Sequence, residues 1–162
     1  MAAGKHPSAW SRPWRRLLRP FLGEEEKHRI ASATEEMERR TTGEIHVHAA
    51  GWAGNADVLD LAQRKFLELG LDKTAGRNGV LILIFHLDHR FAIWGDEGIH
   101  AKAGQPLWES AAKTLREHFA ERRYAEGIEA CVRAVGLELA AYFPKNGPDP
   151  GRNQLPNEVT EE

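Results

Sequence analysis

The sequence predicts an α/β protein in which helices pack on both faces of a sheet. Segments with helical and strand periodicity alternate along the chain, in the order helix, strand, helix, strand, strand, helix, helix. The run Val80–Phe85 is continuously branched or aromatic, as expected of a central strand covered on both faces. The 162 residues suit one domain with a proper core.

The first helix is placed at Glu24–Arg40. Glu24, Glu25 and Glu26 open it and Arg39 and Arg40 close it, which complements the helix dipole. Ile30, Ala33 and Met37 share one face, and Thr42-Gly43 forms the exit turn. Glu44–Ala50 alternates as a strand, with Ile45, Val47 and Ala49 on one side and Glu44, His46 and His48 on the other. Asn55 is the expected N-cap of a second helix reaching about Leu69, with Val58, Leu61, Ala62, Phe66 and Leu69 on its stripe. After a polar loop come the strand Gly79–His86, a turn at Leu87-Asp88-His89, and an antiparallel return over Arg90–Trp94.

Gly95-Asp96-Glu97-Gly98 reads as a loop whose glycines serve positive φ or close approach. Pro106 suits the first turn of a helix over about Leu107–Glu121. Tyr124 introduces the last helix, about Ala125–Tyr142, with Ile128, Cys131, Val132, Val135 and Leu139 inward, and Pro144 stops it. Residues 1–22 form a basic arm holding Trp10 and Trp14, residues 23–144 the folded domain, and residues 145–162 a tail of disordered composition.

Composition excludes several function classes. With 41% apolar and 28% charged residues the chain is an ordinary globular one, and its formal charge of −2 gives no general pull toward nucleic acid. The longest apolar run is far short of the ~20 residues of a membrane span. The basic N-terminus lacks an apolar stretch after it and does not read as a secretory signal, so the cytoplasm is the expected location. Peripheral contact with an anionic surface through residues 12–19 is the one membrane role left open. A single cysteine, Cys131, sits on an apolar helical stripe and reads as core. No glycine-rich phosphate loop and no nucleophile elbow is present.

Two constellations could carry chemistry. His46, His48 and His86 form a candidate metal cluster if the central strand lies beside the first, although alternate residues on a strand stand ~7 Å apart. Asp88 and Asp96, with Glu97 and Glu44, offer hard oxygen ligands for calcium or magnesium. Asp88 and Asp96 bracket a strand and begin ~17–20 Å apart, so they meet only if the glycine loop folds back. Arg90 either clamps a phosphate or pairs with Asp88 in the turn. Five tryptophans are many for this length, and Trp52, between glycines, suggests a contact surface for a protein partner.

The ordered motifs Thr42-Gly43-Glu44-Ile45, Arg77-Asn78-Gly79-Val80-Leu81-Ile82, Asp88-His89-Arg90 and Gly95-Asp96-Glu97-Gly98-Ile99, followed by Tyr124-Ala125-Glu126-Gly127, resemble the TPM-domain family over about Glu24 to Pro144. The resemblance is to its soluble single-domain bacterial branch. It implies a three-layer α/β/α sandwich around a small mixed sheet. It also implies a divalent-cation-binding accessory or regulatory module, with a metal-assisted phosphatase and a metal-free interaction domain as alternatives. Residue 77 is Arg where many members carry an acid.

Overall fold

The computed structural model describes residues 21–146 and 156–162. The basic arm up to residue 20, including the stretch 12–19, and the middle of the C-terminal tail lie outside the described residues. Helix α1 spans Glu24–Glu38, and its acidic first turn is closed when Glu26 accepts the Gly23 N–H at 2.8 Å. Strand β1 is Glu44–Ala50, and helix α2 is Val58–Glu68. The N-cap of α2 is Asp57 and not Asn55: its carboxylate accepts the Leu59 N–H at 2.8 Å and the Asp60 N–H at 3.4 Å. Strands β2, Gly79–Phe85, and β3, Arg90–Gly95, form the expected hairpin. Helix α3, Glu97–Ala103, stands where the sequence suggested only a loop, and α4 and α5 follow at Gln105–Ala120 and Tyr124–Tyr142.

The sheet order is β3-β2-β1-β4, where β4 is the two-residue segment Thr160–Glu161 in the tail expected to be disordered. β1 runs parallel to β2 and to β4, whereas β2 and β3 are antiparallel, so the sheet is mixed. Strand parity sorts the core into two layers. Ile45, Val47, Val80, Ile82 and Ile84 pack against α1, α4 and α5. Leu81, Leu83, Phe85 and Ala92 pack against Ala62 and Phe66 of α2. The result is the three-layer α/β/α sandwich, with β2 buried on both sides as its uniform apolar run requires. Cys131 is buried in the α5 core, and burial pushes its thiol up to about 12. No helix among the described residues is long and apolar enough to cross a membrane.

Candidate functional site: a cleft along the open edge of the sheet

The sheet places the predicted residues in separate locations. Asp88, in the β2–β3 turn, accepts the backbone N–H groups of Ala53 at 2.5 Å and Gly54 at 2.9 Å. Arg90 donates to the carbonyl oxygens of Gly54 and Ala56 at 2.9 and 3.0 Å. The two residues therefore do not pair with each other; together they hold the loop that enters α2. That loop leaves Trp52 58% exposed.

Asp96 lies at the other end of β3, as the strand length predicts. It is 5% exposed and caps α3, accepting the Glu97 N–H at 2.8 Å. Arg77 grips it with two hydrogen bonds, Nε to Oδ2 at 2.7 Å and Nη2 to Oδ1 at 3.0 Å, and reaches Glu97 at 3.1 Å. The Asp96 hydrogen bond raises the Arg77 pKa above its usual value. Gly98 has no special backbone angle; it permits close approach. A Cβ there would stand 2.1 Å from the Gly76 carbonyl oxygen and 2.6 Å from that of Arg77. Glu44 is buried at the start of β1, beside Gly79 in register and distant from Asp88 along the strands.

The histidines divide across the sheet. β1 does lie beside β2, but His86 follows the β2 parity onto the α1 and α5 side, where it stacks on Phe21 with ring centroids 5.0 Å apart. His46 and His48 face the α2 layer. His46 Nε2 and His48 Nδ1 both bond the Thr160 hydroxyl, at 2.9 and 2.6 Å. That hydroxyl has one proton, so it can donate to one ring at most and accepts from at least one. His48 also lies 3.6 Å from Glu162, which pairs with Lys65. Burial, with a smaller repulsion from His48, lowers the His46 pKa to about 4. Burial and Lys65 lower that of His48, against the pull of Glu162. Burial lowers that of His86. Among the described residues, no three His, Cys, Asp or Glu side chains converge in a group that could hold a metal.

One concavity is not indicated by the sequence. A cleft of about 970 Å³ runs along β3, between α2 and α4. Its walls carry Val58, Leu59 and Leu67 on one side and Trp108 and Ala112 on the other, with Trp94 on its floor. Leu59 and Leu67 are 51% and 53% exposed. The indole of Trp108 covers Gly95, where a Cβ would stand 2.2 Å from the ring, and it donates to His100 Nδ1 at 2.9 Å. Asp72, Arg77, Asp96, Glu97 and Glu109 line one end of the cleft; His89, Arg90 and Arg116 line the other.

The chain resembles two solved structures. It is 32% identical to the BA42 protein of the psychrophilic bacterium Bizionia argentinensis, determined by NMR, with a TM-score of 0.81 over 90% of this chain and 98% of that one. The N-terminal domain of the cg2496 protein of Corynebacterium glutamicum shares the fold at 14% identity, with a TM-score of 0.60 over 73% of this chain and 74% of that one. No curated protein matches the sequence. The TPM-domain family model matches residues 19–137, and with the whole-length likeness to BA42 this shows that the chain belongs to the TPM-domain family.

Proposed function

We infer that this TPM domain is an accessory or regulatory module that works by holding a protein partner in the cleft between α2, β3 and α4. One observation carries the reading. The side chains best suited to chemistry are engaged in structure, Asp88 and Arg90 with a loop backbone and Asp96 with Arg77, while Leu59, Leu67 and Trp108 present apolar surface in the cleft along β3. A concave apolar surface with a few polar groups at its rim is the usual form of a binding site. Arg90 gives no support to a metal-assisted phosphatase, because both its terminal nitrogens are bound to carbonyl oxygens.

The test is a photocrosslinker placed at Leu67 in the cleft and, separately, at Leu137 on the outer face of α5. Leu67 should yield a discrete adduct in cells of its source and Leu137 should not. Equal adducts, or none from Leu67, would sink the reading.

Cation binding is the second reading, and it is favoured by the position of Asp96 and Glu97 beside Asp72 and Glu109 at one cleft end. As arranged, these carboxylates do not form a ligand set, because Arg77 occupies both oxygens of Asp96. Calcium or magnesium would have to displace that guanidinium. If it does, either ion raises Tm by mass action and Asp96→Asn removes the rise. A flat titration in the wild type rejects this reading and leaves the partner-binding one intact.

A further inference from the structure

We propose that the partner enters the cleft as an extended strand that pairs with the open edge of β3. This rests on the reading of the cleft as a protein-binding site and adds how the partner is held. Among the described residues β3 ends the sheet, so one side of its backbone has no neighbouring strand there. The Asp96 N–H donates to the Gly79 carbonyl at 3.0 Å, which fixes the phase of the antiparallel ladder. In such a ladder, successive residues point their N–H and C=O groups alternately toward and away from the partner strand. With Trp94 opposite Leu81 and Ala92 opposite Leu83, the residues facing away from β2 are Phe91, Ile93 and Gly95. Their amide and carbonyl groups form a row at the floor of the cleft, complementary to an added strand.

An open apolar edge is normally guarded by lysine, proline or a bulge, because it recruits other strands. β3, Arg-Phe-Ala-Ile-Trp-Gly, has none of these residues. Here α2 and α4 stand on either side of it. A second copy presents its own β3 between the same two helices, so it fits the cleft poorly. Side chains of an added strand alternate between the two walls, and both walls are apolar, so its centre is apolar in both directions.

The charges set its ends. Beside Gly95 the lining carboxylates of Asp72, Asp96, Glu97 and Glu109 outnumber the guanidinium of Arg77. Beside Phe91 stand Arg90 and Arg116, with His89. Antiparallel pairing, the slightly more stable mode, puts the N-terminus of the added strand at the acidic end. The partner segment is thus basic at its N-terminal end, apolar in the middle and acidic at its C-terminal end.

The probe is the capped peptide Lys-Thr-Ile-Val-Ile-Thr-Glu, added to the full chain labelled with nitrogen-15. It should slow hydrogen exchange at the Phe91, Ile93 and Gly95 amides and shift the signals of Leu59, Leu67 and Trp108. Exchanging its terminal charges should weaken binding by about tenfold, ~1.4 kcal/mol. Glu109→Lys should weaken the parent peptide and favour the exchanged one. Methylating alternate peptide nitrogens, on the side that faces β3, should abolish binding. No slowing at millimolar peptide overturns the proposal. Equal binding of the methylated peptide, with the cleft signals still shifting, overturns strand pairing and leaves the cleft reading standing. Slow exchange at the three amides without peptide also overturns it: if it grows with protein concentration a second copy takes the edge, and if it does not a segment of the same chain does.

Discussion

Gly98 shows how a single residue decides the geometry at the acidic end of the cleft. It is the second residue of α3, where helix propensity alone would favour alanine by about 1 kcal/mol. Yet a Cβ would enter the carbonyl oxygens of Gly76 and Arg77, which are backbone atoms and cannot turn aside. Overpacking of this kind costs about 1–3 kcal/mol, so the steric term wins. Gly98→Ala should therefore lower stability in chemical denaturation, and an unchanged midpoint would refute the close approach. Gly98 N–H also donates to the Arg77 carbonyl at 2.8 Å, which fixes Arg77 in its left-handed conformation at φ 48°. The sequence indicated that this glycine serves positive φ or close approach. It did not reveal the Arg77 grip on Asp96, because that contact depends on two loops meeting at one end of the sheet.

Among the elements, β4 is the one that periodicity could not find. Two residues have no period, and Thr160–Glu161 becomes a strand only because β1 offers an unpaired side. Its anchor is specific: the Thr160 hydroxyl serves two histidines, and the Glu162 N–H donates to the Ala49 carbonyl at 2.9 Å. Thr160→Val keeps the shape and removes those two hydrogen bonds, leaving both rings short of a partner at a cost of about 1–3 kcal/mol. Amide exchange at Glu162 should then accelerate about tenfold or more. Unchanged exchange there would mean that the Lys65 and Lys27 ion pairs hold the strand instead. α3 was hidden for a different reason: two glycines around Asp96-Glu97 resemble a loop, and the cap that starts the helix is visible only in space. The long helices and β1 to β3 were legible because their stripes are long enough to show their periods.

For the whole molecule, the pattern of burial predicts a response to acid. His46 is 2% exposed, and its Nδ1 has no hydrogen-bond partner, so the folded state disfavours its protonated form. An unfolded chain takes up that proton near the ordinary histidine pKa of about 6.5. Between there and about 4, the unfolded state binds more protons than the folded one. Stability is then complete above the upper limit and falls as pH drops through this window, by about 1.4 kcal/mol per pH unit for a histidine that stays neutral. His48 and His86, lowered in the same direction, add to the slope. Urea unfolding across the window should show the loss, and His46→Gln should flatten it; an equally steep curve in the variant would contradict the assignment. The fold class was legible from the alternation of periods, whereas the cleft was not. Its walls come from α2 and α4, far apart in sequence, and its floor is open because β3 ends the sheet among the described residues.

The pairing of His48 with Thr160 has a consequence for biosynthesis. Residues 44–85 leave the ribosome well before Thr160–Glu161 are made, so β1 and β2 can pair before β4 exists. Throughout that interval β1 presents a naked flank, the very feature that invites association between nascent chains. Synthesis of Thr160–Glu161 supplies the segment that closes it, so a chain stalled or clipped before those residues would acquire most of its native core while keeping an adhesive border.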